Sequence, residues 1–378
     1  MKVKPSLWLM VVMLMFPQIV ETIYSPALGS ISQSFAVSDT QAAQTLSIYF
    51  SAFAIGVAAW GVLADFWGRR PAMLLGLLIY SCAAFVAMQT ESFTVLMIAR
   101  AFSAFGIAVG SVVTQTMLRD AFDGEALGKV FSLMGLGIAI SPVIGMFCGG
   151  QLSQAGGHQF VFFALFAMAI GLLIYNFFLL PETQTEKQPL KLGALSARML
   201  KDVQIWQSAL LVAFYNIALF AYYQLGGFHV AALGFTSEQF GYSGLVLGIG
   251  SLLGSFLNKG LLTKNVSQHL LLKGAGMMFT LGAVGVYTML DSIWFLIPIM
   301  IIVTAYGIAI PNILSMALSN YRQQAGSAAA LFGLMYYLFI GSGLGLAGII
   351  QHLGTVLIAC GVGAMIVTYT LSSRVAAA

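Results

Sequence analysis

Charge is what this chain lacks. Of its 378 residues, 7% are Asp, Glu, Lys or Arg and 60% are hydrophobic, where soluble domains carry about 25% charged residues. So little polar material cannot clothe a body of this size in water, and lipid is the implied solvent. Cysteine is nearly missing too. Cys82, Cys148 and Cys360 are odd in number, lie within apolar runs and show no ligand spacing, which excludes a disulfide framework and a zinc site and leaves them as lipid-facing or core residues. No Gly-x-x-x-x-Gly-Lys-Ser/Thr loop occurs, so ATP drive is excluded, and neither a cofactor nor a metal is expected. The net charge of +4 does not point to nucleic acid, because the basic residues stand in ones and twos between apolar runs. His158, His229, His269 and His352 fall at expected span ends or loops and receive no relay role.

What is there instead is a series of apolar windows. About twelve recur, each of roughly 18–26 residues, enough at ~1.5 Å per residue to cross a hydrocarbon layer of ~30 Å. Six run from Leu7–Ala27 to Phe160–Leu180, and six from Ile205–Gly226 to Thr355–Leu371. They are continuous rather than alternating, which requires helices and excludes a barrel. The first begins after Lys2 and Lys4 like a secretion signal, yet no small-x-small site follows and the apolar run continues through Pro17, so a retained helix is expected.

Charge orients the stack. With the N-terminus inside, fifteen of the sixteen basic residues fall at cytoplasmic ends, including Lys2, Lys187, Lys191, Arg322 and Arg374; the sixteenth, Arg100, lies within a span. The expected outer loops carry only Asp39, Glu91, Glu238 and Asp291. Asn265-Val-Ser267 matches a glycosylation pattern but falls on the inside and is read as chance. The most polar connection divides the chain into a bundle over 1–180, a cytoplasmic linker over 181–204 and a second bundle over 205–378. Gly61 and Asp65 after the second window reappear, 193 residues on, as Gly254 and Asn258 after the eighth. Such paired halves suit a midplane cavity that opens to alternate sides.

Gly61-Val-Leu-Ala-Asp65-Phe-Trp-Gly68-Arg69-Arg70-Pro71 is the sharpest motif. Gly61 suits close helix approach, Asp65 can pair with an Arg or a helix N-terminus, and Gly68 permits a turn before the next helix. The stretch resembles the loop signature between helices two and three of the major facilitator superfamily, with Phe66 where that family often has Arg. Leu96-x-x-x-Arg100 with Gly106 and Gly110 resembles the family's second motif, with Ser103 and Ala104 in place of its Gln and Gly. Gly137-x-x-x-Ser141-Pro142-x-x-Gly145 is similar to its antiporter motif, read here as a hinge, with Ser141 and Met146 departing from the pattern.

Glu21 is the one carboxylate well inside an expected span. With Tyr24, Ser25, Pro26, Ala27 and Leu28 it resembles the D-x-Y-l-P-A-L region of the Bcr/CflA group of bicyclomycin and multidrug exporters, whose acid aligns with Thr22, one residue or about 100° away. Ala325-Gly-Ser-Ala-Ala-Ala-Leu331 resembles a small-residue entry in the same group. By depth, Glu21 and Arg100 share one layer roughly 10 Å below the outer surface. Desolvation there favours the neutral acid and a nearby cation favours the carboxylate, so Glu21 is expected to alternate between a proton and substrate or Arg100; a static buried ion pair is the alternative. Tyr24, Tyr215, Asn216, Asn312 and Tyr336 are candidate cavity lining.

The resemblance implies an all-α membrane protein of the major facilitator fold, a monomer in the bacterial inner membrane with both termini cytoplasmic. It implies no enzyme but a secondary transporter that exports small, partly apolar compounds in exchange for protons, with the lipid bilayer, the substrate and protons as its partners. A proton symporter importing a nutrient and a non-transporting receptor or assembly factor stay open, the latter disfavoured by the lack of any sizeable soluble domain.

Overall fold

In a medium without water each segment must satisfy its own backbone N–H and C=O groups, so the apolar windows become helices. A computed structural model describes residues 4–122, 124–184 and 192–375, with the backbone alone at 125, 132, 192, 194, 322–326 and 372–375. Lys2, Lys187 and Lys191 lie outside the described residues, as do the side chains of Arg322, Ala325 and Arg374.

The elements are α1 (Leu7–Ile23), α2 (Leu28–Ser34), α3 (Asp39–Trp67), α4 (Arg69–Gln89), α5 (Phe93–Ala121), α6 (Gly124–Leu179), α7 (Leu192–Lys201), α8 (Val203–Ala232), α9 (Ser237–Thr263), α10 (Gln268–Met289), α11 (Leu296–Ala317), α12 (Ala325–Ile350) and α13 (Leu353–Val375). A 3-10 turn at Ser25–Ala27 joins α1 to α2, and the two make one span. The second span of each half starts with a reciprocal cap: Ser38 with Gln41 before α3, and Thr236 with Gln239 before α9.

Among the described residues, eleven continuous segments are long and apolar enough to cross a membrane. One of them, α6, has 56 residues, or about 84 Å at 1.5 Å per residue, nearly three times the hydrocarbon thickness. It turns back at Gly156 and Gly157, where Gly157 takes φ +64°, ψ −155°, a conformation open essentially to glycine alone. The two limbs bring the spans to twelve. The expected break between residues 152 and 160 thus needs only two residues, and His158 is helical.

Packing repeats with a shift of six spans. In the first half α1 packs on α6, α3 and α4 on α5, and α4 on α6; in the second, α8 packs on α12, α9 and α10 on α11, and α10 on α13. The halves meet where α3 packs on α12 and α6 on α9. Hydrogen bonds between halves gather at the end whose loops carry no Lys or Arg. Gln44 Nε2 donates to Gly345 O at 3.0 Å, Ser47 Oγ to Gly341 O at 2.8 Å, Gln224 Nε2 to Ala43 O at 2.8 Å and Gln151 Nε2 to Glu238 Oε1 at 3.0 Å. Ser25 Oγ also donates to Tyr223 O.

The connection between halves contains α7, which no apolar window announces. It is short and amphipathic: Leu195 and Met199, four apart, are buried, while Arg198 lies 4.9 Å from the ring of Tyr321 and Asp202 accepts from Tyr321 Oη at 2.8 Å.

Candidate functional site: a cavity between the halves

A cavity of about 340 Å³ lies between the halves, lined from α1, the first limb of α6, α8, α9, α11 and α12. Its lining reaches Gly135 and Leu314, toward the basic-loop end, while the other end is closed by the hydrogen bonds described above. Apolar side chains dominate, with Asn216, Tyr223, Tyr306, Tyr336 and Tyr337 from the second half. From α1 come Gln18, Glu21 and Thr22, at the i, i+3, i+4 spacing that aligns side chains on one helix face. Among the described residues Glu21 is the one charged side chain on this lining.

Glu21 is 2% exposed, and its Oε1 has no hydrogen-bond partner. The one-residue offset from the family acid leaves it on the cavity beside Thr22, since residues three and four after Gln18 share its face. Arg100, equally buried, stands behind the lining rather than on it. Its guanidinium is 3.9 Å from the ring centroid of Tyr24 and 4.5 Å from that of Tyr49, and its Nε is unpartnered. Glu21 and Arg100 interact electrostatically, but no ion pair joins them among the described residues. Tyr24 is therefore a wall of the Arg100 site, its hydroxyl donating to Thr45 Oγ1 at 2.8 Å, and is absent from the cavity lining.

Of the other lining candidates, Asn216 and Tyr336 face the cavity, and Asn216 Oδ1 accepts from Tyr306 Oη at 3.2 Å. Tyr215 and Asn312 lie elsewhere. Tyr215, one residue from Asn216 and so about 100° round the helix, packs on Phe279 at 5.0 Å. Asn312 donates to Asn258 Oδ1 at 2.7 Å, binding α11 to α9. In the antiporter-like stretch Pro142 lines the cavity without breaking α6. Ser141 Oγ donates to Gly137 O at 2.7 Å. A Cβ at Gly137 would stand 3.1 Å from Met15 and Val11, and one at Gly145 would stand 3.1 Å from Ile19 O, so both keep α6 tight against α1.

The loop motif forms a charged knot at the basic-loop end. Arg69 pairs with Asp65 and donates from Nε to Asp120 Oδ2 at 3.0 Å. Glu182 caps α4, accepting the backbone N–H of Arg69 at 3.1 Å and of Arg70 at 3.0 Å, and Arg70 Nη2 donates to Phe177 O at 2.6 Å. Gly68, at φ +115°, has its missing Cβ position 2.6 Å from Glu182 Oε2, so it serves both the turn and the cap. Gly61 differs from expectation: a Cβ there would meet nothing closer than Val112 at 3.8 Å. Its repeat partner Gly254 is the tight one, 2.9 Å from Gly307 Cα by the same measure.

Sequence reasoning gave no role to Asp120, Glu182, Tyr49 or Tyr306. The first two carry a legible signal, an acid beside Arg119 at the end of one span and Pro181-Glu182-Thr183 at the end of another; the tyrosines stand in runs with no local mark.

A model of the Major Facilitator Superfamily matches residues 8–346. An "Uncharacterized transporter" of Rickettsia felis is 28% identical over 352 residues, covering 88% of this chain and 86% of its own. A "Bicyclomycin resistance protein homolog" of Haemophilus influenzae is 27% identical over 331 residues, covering 84% and 82%. Among solved structures a D-xylose-proton symporter matches with a TM-score of 0.75 at 13% identity, over 97% of this chain and 96% of that one, which shows a shared fold. The family match and twelve spans in two repeated bundles agree: this chain is a multi-pass membrane transporter that belongs to the Major Facilitator Superfamily.

Proposed function

We propose that this transporter exports small, partly apolar compounds in exchange for protons by alternating access. In this reading it is a monomer in the bacterial inner membrane with both termini cytoplasmic, driven by the proton gradient and using no other cofactor. The observation that carries the reading is Glu21, the single charge on the cavity lining, buried with an unpartnered oxygen. A buried carboxylate with no partner costs several kcal/mol, so the group holds either a proton or a donor supplied by the substrate. One site that accepts one or the other is the minimum an exchanger needs. The volume suits a small molecule, and apolar walls with tyrosine hydroxyls bind by area and adaptable polar contacts. The names of relatives related to bicyclomycin resistance support efflux.

The test is a substrate screen, begun with bicyclomycin, in reconstituted vesicles with an imposed proton gradient, comparing the intact protein with Glu21→Gln. Gradient-driven transport is expected to vanish in the variant while substrate-for-substrate exchange persists. Unchanged gradient-driven transport by Glu21→Gln would overturn the coupling, and accumulation along the proton gradient would make the protein a symporter.

A further inference from the structure

We infer that Tyr49 is the positioning residue that conveys the charge state of Glu21 to the contact between the two halves. The inference rests on the proton-exchange reading of Glu21. Three buried polar atoms lack a hydrogen-bond partner on groups that act electrostatically on one another: Glu21 Oε1, Arg100 Nε and Tyr49 Oη. The Tyr49 ring lies 4.5 Å from the Arg100 guanidinium, and Tyr49 is an electrostatic neighbour of both charged groups. Tyr24, whose ring centroid lies 3.9 Å from the same guanidinium, is different, because its hydroxyl is already committed to Thr45.

Unsatisfied buried groups are rare, and three together are accounted for by a second arrangement in which they satisfy one another. A phenol is both donor and acceptor. When Glu21 loses its proton to water in the cavity, the Tyr49 hydroxyl can donate to the carboxylate, keeping its own proton throughout. When Glu21 is protonated that attraction is gone, and the hydroxyl is released. No bond other than the Glu21 O–H is made or broken.

The same ring touches the interface. Tyr49 packs on Phe53 at 6.1 Å and on Phe50 at 5.5 Å. Phe53 in turn meets Tyr337 of α12 at 4.9 Å, and Phe50 meets Phe220 of α8 at 4.2 Å. A shift of Tyr49 toward or away from Glu21 therefore moves aromatic contacts that join α3 to the other half. Other groups face these two. Tyr80 of α4 acts electrostatically on Tyr49, and Tyr223, Tyr306, Tyr336 and Tyr337 of the second half act likewise on Glu21. They belong to α4 or to the second half, whereas Tyr49 sits on α3 beside the Arg100 guanidinium.

The experiment uses the full chain in lipid nanodiscs with spin labels at exposed Gln33 and His352, one in each half at the closed end. The distance between labels is followed from acid to alkaline pH with no compound present, so that the proton is the only ligand. The intact protein is expected to show a pH-dependent distance shift, and both Glu21→Gln and Tyr49→Phe are expected to lose it. Tyr24→Phe is expected to keep it. Loss in Glu21→Gln with a normal profile in Tyr49→Phe overturns the Tyr49 assignment alone, whereas a normal profile in Glu21→Gln overturns the exchange reading beneath it. Should Tyr49→Phe not fold, trifluorotyrosine at position 49 keeps ring and hydroxyl but makes the phenol more acidic. A shifted midpoint then supports the assignment, and an unshifted one overturns it.

Discussion

Arg69 holds Asp120 by a 3.0 Å hydrogen bond from Nε while pairing with Asp65 four residues before it. One guanidinium thus ties the end of α3, the start of α4 and the end of α5. Arg69 is the most shielded of the three, with 9% of its side chain exposed against 24% for Asp120 and 27% for Asp65. The carboxylates are wet enough to discount the pairing, so Asp120→Asn should lower stability by about 1–2 kcal/mol rather than the larger figure for a fully buried pair. Because each single variant leaves Arg69 one counter-charge and the double leaves it none, the Asp65→Asn, Asp120→Asn double variant should lose more than the sum of the singles. Thermal unfolding in detergent reads this directly. Strict additivity would mean that Arg69 does not join them.

A second prediction concerns the contact of α6 with α9. A Cβ on Gly241 would stand 2.7 Å from Met146 O and 2.9 Å from Gly150 Cα, and both obstacles are backbone, which cannot step aside as a flexible side chain would. Gly241→Val should force the halves apart at the closed end, leaving the lipid faces and each half's own packing intact. Leu219→Cys, on the cavity lining of α8, placed in a background without the native cysteines, serves as reporter. Modification by an impermeant maleimide applied from the closed side is expected to rise by roughly tenfold or more with Gly241→Val, while transport falls. An unchanged rate would show that this contact is not what closes that end.

These two sites differ in how far the sequence revealed them. Asp65 and Arg69 are neighbours at helical spacing, so their pairing is legible from the chain alone, and the apolar windows betray the spans because lipid imposes length on a helix. Asp120 and Glu182 join the same knot through tertiary folding from 51 and 113 residues beyond Arg69, and nothing local announces that meeting. Depth along a span can be counted from its ends, and this count puts Glu21 and Arg100 in one layer. Rotation about the axis cannot be counted in helices that are apolar all round, since they carry no hydrophobic face to set the phase. Hence Asn216 reaches the cavity and adjacent Tyr215 does not, and Asn312, which follows Pro311, turns to Asn258 instead.

The closed end also depends on Gln224, which is fully buried. Its Nε2 donates to Ala43 O in one half at 2.8 Å and to Leu344 O in the other at 3.1 Å, so one amide from α8 bridges α3 and α12. Gln224→Met keeps the length of the side chain and removes the donor. Two carbonyls then lose a partner in a dry interface, while the unpartnered Gln224 Oε1 is removed as well, which leaves a net cost of about 1 kcal/mol, or roughly fivefold in the ratio of closed to open. Because opening admits water to both carbonyls, the cost falls on the closed conformer alone, and the equilibrium shifts rather than the fold failing. The Leu219→Cys reporter should therefore label faster from the closed side in Gln224→Met, with melting temperature little changed. Gln224 and Gly241 hold different helix pairs, so their effects on labelling should multiply. A Gln224→Met protein that labels at the original rate would leave the closure to Gln44, Ser47 and Ser25, whose donors reach across the same seam.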